Sequence, residues 1–166
     1  VEWEEKGVIS DTDPMVLIRK VSANELVQLR GKAFANNHDL LPAYREDYEV
    51  QNGTQAFLNS TTNYPLLKGS QTNLFKCFLP LSWRIASPEG VQGFIHPEGL
   101  YDDPRASNIR EELYERLRYH FQFQNAFILF PIAHRAKYSV NICGIKKSAS
   151  FFHVSNLFHP RTIDLC

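Results

Sequence analysis

Two stretches in the second half of the chain alternate apolar and polar residues, and this alternation constrains the fold more than any other feature. The stretches are YHFQFQNAFILF (119–130) and YSVNICGI (138–145), and the turn segment PIAHRAK (131–137) separates them. A period of two is typical of strands, and two such strands around a short turn predict a β-hairpin. The apolar positions that share a face are Phe121, Phe123, Phe127 and Leu129 in the first stretch, and Tyr138, Val140 and Ile142 in the second. The chain must therefore build at least part of a sheet.

Helical periodicity dominates the sequence before this hairpin. We predict helices over 23–36, with Ser22 or Asn24 as its cap, over 40–50, and over 74–85 with a kink at Pro80. A further helix starts at Pro104 or Ser107 and carries Ile109, Leu113 and Leu117 at four-residue spacing. Residues 51–72 are rich in Asn, Thr, Ser and Gly, which predicts a loop with one helical turn at 55–58. Strands are predicted at 91–97 and within 148–158, so the order indicates an α/β fold with a small sheet and an unpaired edge.

Composition limits the function classes. The chain has 166 residues, of which 43% are apolar, so it is the size of one domain and can bury a core. The formal net charge is zero, which excludes a global attraction to nucleic acid or anionic lipid. Charge is uneven, however, because residues 104–147 hold eight Lys or Arg against three Glu. Any attraction to a polyanion must therefore be local.

Cysteine and histidine usage argues against disulfides and metal. Cys77, Cys143 and Cys166 form no CxxC pair, and their odd number predicts a reducing compartment. The six histidines show no ligand spacing, so we expect no metal site. No apolar run approaches the roughly 20 residues that span a bilayer, and VEWEEK is not a signal peptide, so we expect a cytoplasmic protein without a membrane partner. A start at Val and an end at DLC suggest a piece of something longer.

The tetrad His96, Pro97, Glu98 and Gly99 follows the predicted strand 91–97 directly. Ligands of α/β sheets bind beyond the carboxyl ends of strands, which makes the tetrad a candidate binding site. Two alternatives stay open. The tetrad could be a plain tight turn with His96 exposed and idle, or Glu98 and His96 could form an acid and base pair, which requires a geometry that the sequence does not give.

Two more positions could contact a ligand. Asn73 stands at the head of the helix 74–85, where it could cap the helix or bind a polar or anionic ligand. Tyr138 opens a strand beside Arg135 and Lys137, an arrangement suited to stacking on a base with phosphates nearby. The alternative for Tyr138 is a core tyrosine at a strand end. The sequence contains no P-loop, no nucleophile elbow and no GxGxxG motif.

The order of these segments resembles the second half of large adenine-specific, S-adenosylmethionine-dependent DNA methyltransferases of restriction-modification and phage-defence systems. In that family a helix with Asn, Leu, an aromatic residue and a later Phe precedes a strand of the type G-x-x-x-F-I-x-P-x-G; here these are Asn73, Leu74, Phe75, Phe78 and residues 90–99. The segments HPEG (96–99) and YDDP (101–104) resemble the corresponding segments of a subgroup of giant methylases. In this subgroup the catalytic tetrapeptide Asn-Pro-Pro-Trp stands just before a Val-Glu-Trp-like segment, which is similar to Val1, Glu2 and Trp3.

The resemblance implies a partial Rossmann-like class I methyltransferase sheet, made of the late strands with a β-hairpin and preceded by a mostly helical insertion. It divides the chain into a helical spacer (1–69), the carboxyl-terminal half of the methyltransferase domain (70–147), and the start of a connection to a target-recognition region (148–166). The glycine-rich cofactor loop and the tetrapeptide are expected upstream of Val1. We therefore expect methyl transfer to the exocyclic amine of adenine by the full-length protein and no activity of the isolated chain.

The resemblance also implies roles for residues. Asn73 and Phe75 would line the cleft of the cofactor S-adenosylmethionine; His96, Pro97 and Glu98 would border the target-base pocket, Tyr138 would stack on the extruded adenine, and Arg135 and Lys137 would contact the DNA backbone. DNA is the expected partner, with restriction or defence subunits as further candidates. Two alternatives remain: a binding module that holds nucleic acid without catalysis, and a truncated relic with structural behaviour only.

Overall fold

The computed structural model describes residues 5–71 and 73–165. Val1, Glu2 and Trp3, on which one part of the resemblance rests, lie outside the described residues, as does Cys166. The chain divides into two compact units, Val1–Leu58 and Asn59–Cys166.

The first unit is helical. Its described residues form α1 (Glu5–Ile9), α2 (Met15–Ile18), α3 (Ala23–Asn36) and α4 (Leu40–Asn59), the last of which ends at the first residue of the second unit. The boundaries of α3 are those predicted, and Ser22 caps it, because its hydroxyl accepts a hydrogen bond from the amide of Glu25 at 3.3 Å. The core of this unit is a cluster of Ile9, Val16, Ala33 and Leu40.

The helix predicted over 40–50 is longer than the sequence suggested. It continues to Asn59, so the prediction of a loop with one helical turn from residue 51 onward is wrong for 51–59. Gln51, Gln55 and Ala56 favour helix, and the single Gly53 costs only about 1 kcal/mol relative to Ala. Leu58 is buried, which fixes the last turn. A 3₁₀ turn at Pro65–Leu67 follows.

The second unit is a mixed α/β layer structure. Among its described residues, four strands form one sheet in the order β1-β3-β2-β4. The strands are β1 (Gln92–Pro97), β2 (Leu117–Gln124), β3 (Lys137–Cys143) and β4 (Phe152–Leu157), and the helices are α5 (Leu74–Ile85), α6 (Gly99–Asp102), α7 (Ser107–Arg116) and α8 (Arg161–Asp164). β3 is antiparallel to both β1 and β2, whereas β4 is parallel to β2. β1 and β2 therefore run in the same direction, with β3 inserted between them.

The predicted hairpin is confirmed, but its first strand is shorter. β2 ends at Gln124, so Phe127 and Leu129 do not belong to the strand and lie exposed in the loop that follows. The physical reason is Asn125, which is fully buried and bonds to the loop backbone instead of continuing the alternation. Leu117 was predicted as the last apolar position of α7. It begins β2, where it is still fully buried.

The two faces of the sheet differ in an unexpected way. The alternation separates Ser139, Asn141 and Cys143 from the apolar positions of β3, and this polar side is the completely buried one. Tyr101 of α6 covers it, because its hydroxyl donates a hydrogen bond to the Asn141 side chain and its ring stacks on His120. Leu100, Ile109 and Leu113 of α6 and α7 are also fully buried. The helical layer thus packs on a polar sheet face.

The opposite face is apolar and partly open. Its register partners across the strands include Tyr119, Phe121, Phe152 and Val154, of which Phe152 is 70% exposed. β4 lies within residues 148–166, which the resemblance assigns to a connecting region; in the structure these residues contribute a strand to the same sheet.

Candidate functional site

A cleft lies between the start of α5 and the carboxyl end of β1. Its volume is about 530 Å³, which is within the range of small-molecule sites. The residues that line it are Gln71, Asn73, Phe75, Lys76, Pro97, Gly99, Asp103, Pro104 and Arg105. Three residues that the sequence singled out in two separate motifs, Asn73, Phe75 and Pro97, therefore share one cleft.

An ion pair between buried Lys76 and partly exposed Asp103 fixes one wall of this cleft. The ammonium of Lys76, a buried residue, donates hydrogen bonds to Asp103 Oδ2 at 2.7 Å and to the Ser70 hydroxyl at 2.8 Å. The hydrogen bond from Lys76, helped by one from the Arg105 amide, lowers the pKa of Asp103 to about 2. The aspartate is therefore ionised at neutral pH. The two charges neutralise each other, and the ion pair orders the loop that carries Arg105.

Asn73 caps the amino-terminal end of α5, and Phe75 in its first turn packs on the end of β1. The side-chain oxygen of Asn73 accepts a hydrogen bond from the amide of Phe75 at 3.4 Å, so the capping role predicted as one alternative is present. The ring of Phe75 stacks on His96 with ring centres 5.2 Å apart and planes 17° from parallel. The helix head and the strand end are thus joined by one aromatic contact.

His96 is buried and neutral. Its Nδ1 lies 2.9 Å from the carbonyl of Pro97, and its Nε2 lies 3.0 Å from the side-chain amide of Asn141. A carbonyl can only accept and an amide NH₂ donates, so Nδ1 carries the proton and Nε2 accepts. Burial lowers the pKa of His96, which agrees with this neutral form. The alternative of an exposed, idle histidine is wrong.

Glu98 pairs with His120 and not with His96. Its carboxylate accepts from His120 Nε2 at 3.1 Å and from the Gln122 side chain at 2.8 Å. Burial alone would raise the pKa of Glu98, but hydrogen bonds from His120, Ser139 and Gln122 outweigh it and lower the pKa to about 2. A carboxylate this acidic is a poor general acid at neutral pH. An acid and base pair of Glu98 with His96 is therefore not formed.

A chain of groups runs from Glu98 to the surface. Because the Glu98 carboxylate can only accept, His120 must be protonated at Nε2. His120 Nδ1 then lies 3.0 Å from Nδ1 of His153, and the two rings stack with their centres 4.8 Å apart. His153 is exposed. The three residues connect a buried negative charge to solvent.

The sequence missed His120 and His153 because their contact depends on the parallel pairing of β4 with β2, in which the two are direct register partners. Sequence distance gives no indication of that register. The one available signal was that His120 occupies a polar position of the alternating stretch beside Gln122.

Tyr138 is a core residue in this structure. It is only 6% exposed, its ring stacks on Phe123 at 5.4 Å, and Phe130 packs against it edge-on at 4.9 Å. Burial raises the pKa of its hydroxyl. A base-stacking role requires an open ring face, which these two phenylalanines cover, so the core alternative given for Tyr138 describes its position. Tyr138 is the register partner of Pro97, so the two residues lie side by side on neighbouring strands.

The two cations predicted to contact DNA are exposed beside this strand end. Arg135 and Lys137 lie in or next to the hairpin loop, and the backbone carbonyl of Lys137 accepts a hydrogen bond from the Glu98 amide at 3.3 Å. The loop therefore stands beside the tetrad.

Across residues 5–71 and 73–165, no group of three or more His, Cys, Asp or Glu side chains is arranged to hold a metal ion. Within the same ranges, no helix has the length and apolar character to cross a membrane. Comparisons of the chain with protein-family models, with curated proteins and with solved structures find no match.

Proposed function

We propose that the second unit is the carboxyl-terminal half of the catalytic domain of a DNA adenine methyltransferase, and that the cleft at the head of α5 faces its reaction centre. One observation carries the proposal. Asn73 and Phe75 belong to one motif of the resemblance and Pro97 to another, and all three line the same cleft beyond the carboxyl end of β1. Ligands of α/β sheets bind at this kind of position.

The strand order supports the proposal. The resemblance implies the late strands of a class I methyltransferase sheet, with a β-hairpin among them. β1 and β2 are parallel, α6 and α7 connect them, and β3 returns between the two. A simple meander would instead pair β1 with β2 directly.

The chemistry of the cleft suits a purine ring. Phe75 offers an apolar aromatic surface, while Gln71, Asn73 and Arg105 offer polar groups around it. S-adenosylmethionine, when bound, supplies an electrophilic methyl group on a sulfonium. This methyl group would pass to the N6 nitrogen of adenine, with the electron pair of the broken carbon–sulfur bond left on sulfur and an amine proton released to water. Acceptors that orient the amine would come from the tetrapeptide expected upstream of Val1.

The residues of this chain hold and shield the ring that reacts. His96 is neutral and engaged on both nitrogens, and Glu98 is ionised and engaged on both oxygens, so both support the strand end without exchanging protons with substrate. Phe130, in the loop that follows β2, is 37% exposed and rests edge-on against Tyr138, the register partner of Pro97. We assign the stacking contact with the extruded adenine to Phe130, with Tyr138 as its support.

Methyl transfer tests this assignment. The protein expressed from its complete gene is incubated with DNA and radiolabelled S-adenosylmethionine. Phe130→Ala should lower kcat/KM at least about tenfold, since stacking on one base contributes about 1 to 3 kcal/mol. Phe152→Ala is the matched control, because Phe152 is an exposed phenylalanine at the opposite edge of the sheet. Unchanged turnover by Phe130→Ala would refute the pocket assignment, and no methyl transfer to DNA by the wild-type protein would refute the function.

A second candidate is a binding module without catalysis. A cleft of about 610 Å³ is lined by Arg118, Tyr119, Lys147 and Phe152, together with Ser148, Ser150 and Phe151. Cations beside exposed aromatic rings are typical of single-strand binding. The same pair of variants separates the candidates. Loss of single-strand affinity by Phe152→Ala, with no methyl transfer by the wild type, would favour the module.

A further inference from the structure

The loop that joins β2 and β3 exposes an unusual amount of apolar surface. Phe127 is 64% exposed and Ile128 is 65% exposed, and Leu129, Phe130 and Ile132 are exposed as well. Single exposed apolar residues are ordinary, but a contiguous set in one loop marks an interaction surface. Of these residues, Phe130 leans inward on Tyr138, so the tip consists of Phe127, Ile128 and Leu129.

The apolar tip is held rigidly. The carboxamide of Asn125 is fully buried and donates to the carbonyls of Phe130 and Ile132, each at 3.0 Å, while its oxygen accepts from the Phe130 amide at 3.1 Å. The Asn125 amide also donates to the carbonyl of Ala136 at 3.0 Å, which closes the base of the loop. A single buried side chain therefore fixes the shape of a loop that is apolar on the outside.

The backbone at the tip is strained. Ile128 has a φ of +50°, a left-handed conformation that β-branched residues rarely adopt. Glycine or asparagine would suit this position far better. Strain of this kind persists where a side chain is needed in an exact direction, and it concentrates at functional sites.

The surroundings of the tip suit a polyanion. His134, Arg135 and Lys137 are exposed on the same hairpin. No Asp or Glu occurs in the sequence between Glu115 and Asp164, so the hairpin itself carries no acidic side chain. The loop also follows the carboxyl end of β2, at the edge of the sheet that carries the cleft and the tetrad. An apolar tip followed by cations on the same hairpin, beside the proposed reaction centre, fits duplex DNA better than it fits a protein partner.

We propose that Phe127, Ile128 and Leu129 form a wedge that enters the base stack of duplex DNA and holds open the step from which the target adenine is extruded. This inference rests on the proposed function and adds the way in which the duplex is opened. Proteins that kink DNA insert Phe, Leu and Ile side chains between base steps in the same manner. Extruding a base requires unstacking it, which a rigid wedge promotes and a flexible loop does not. Arg135 and Lys137 bind the flanking phosphates.

The change in DNA twist measures the wedge without knowledge of a recognition sequence. A closed circular plasmid is relaxed by a topoisomerase in the presence of the protein expressed from its complete gene and without methyl donor, and the linking number is then read on a gel. The wild-type protein should lower the linking number in proportion to the amount bound. The triple variant F127A/I128A/L129A should abolish this change while it retains duplex binding within about fivefold at low salt, because the phosphate contacts remain.

Two further variants secure the result. Ile128→Gly removes an apolar side chain and relieves the strain, so it folds at least as well as the wild type and should lower the unwinding at least about threefold. The double variant Arg135→Gln with Lys137→Gln should weaken duplex binding. It should also reduce the slope of the logarithm of the binding constant against the logarithm of the salt concentration by about 2. Val91→Ala, at an exposed apolar residue just before β1, should alter neither quantity.

Other outcomes overturn either the wedge or the proposed function. A triple variant that unwinds DNA like the wild type, or a wild type that binds duplex without unwinding it, removes the proposal. If the wild type binds vesicles of phosphatidylserine and phosphatidylcholine and the triple variant does not, the tip is a membrane contact. If the wild type self-associates and the triple variant does not, the tip contacts a second copy of the chain. If the wild type transfers methyl groups to DNA but the triple variant unwinds DNA as well as the wild type does, the wedge is refuted and the proposed function is not. Unwinding without methyl transfer refutes the proposed function alone.

Discussion

Glu98→Gln gives the sharpest test of the buried network beneath the sheet. The substitution keeps the shape of the side chain and removes its charge. In the wild type, both carboxylate oxygens accept hydrogen bonds, from His120 Nε2 and from Gln122. A glutamine has one acceptor and one NH₂ group, so one of these donors would face another donor in a site that excludes water.

The expected magnitude follows from the pKa. The pKa of Glu98 is about 2 in the folded chain and 4.5 for an unperturbed glutamate. Each pKa step corresponds to about 1.4 kcal/mol, so ionised Glu98 stabilises the fold by about 3 kcal/mol. The folded pKa is the lower one, so this stabilisation is complete above pH 4.5 and is lost as pH falls toward about 2. We expect Glu98→Gln to lower the free energy of unfolding by about 3 kcal/mol at pH 7.

Urea unfolding followed by circular dichroism at several pH values between 3 and 7 measures this difference. The gap between wild type and variant should be constant from pH 7 to about pH 5 and should narrow below pH 4.5. Glu111→Gln is the control, because Glu111 is an exposed glutamate on α7, and it should change stability by less than about 0.5 kcal/mol. A variant as stable as the wild type at pH 7, or a gap that widens in acid, would contradict the ionised, hydrogen-bonded carboxylate.

Three other substitutions test the elements around the site. Asp103→Asn leaves the buried ammonium of Lys76 without a counter-charge and should lower the free energy of unfolding in urea by about 2 to 3 kcal/mol. Adding Lys76→Met to this variant should recover most of the lost stability, and no recovery would argue against the ion pair. Asn125→Ala should cost about 3 kcal/mol and speed hydrogen exchange at the Phe130 amide, which donates to Asn125; unchanged exchange would mean that the loop is held by other contacts. Ile128→Gly should raise the free energy of unfolding by about 1 kcal/mol, whereas Ile128→Ala should not, and equal effects of the two would remove the strain at this position.

The sequence predicted what depends on local periodicity. The boundaries of α3, the hairpin of β2 and β3, and the strand before His96 follow from spacings of 3.6 and 2 residues. Asn73 and Phe75 were expected to bind the cofactor and Pro97 to border the target-base pocket, and the structure places all three in the lining of one cleft. The length of α4 was missed because its polar composition resembles that of a loop.

The remaining differences depend on long-range register and on which face is covered. Alternation assigns Tyr138 and Ser139 to opposite faces of β3, but it does not indicate which of the two faces the helices cover. The position of Tyr138 beneath Phe130 depends on the path of the loop 125–136, which Asn125 determines from within. The Glu98, His120 and His153 chain depends on the parallel pairing of β4 with β2. None of these three features leaves a periodic signal in the sequence.

The position of the transferred methyl group tests the central claim most directly. The protein expressed from its complete gene is incubated with DNA and S-adenosylmethionine that carries a deuterated methyl group, and the digested nucleosides are analysed by mass spectrometry. The proposal predicts the deuterated methyl group on the exocyclic nitrogen of adenine and a strong loss of this signal in Phe130→Ala. Label on cytosine, label on protein alone, or unlabelled DNA would contradict it.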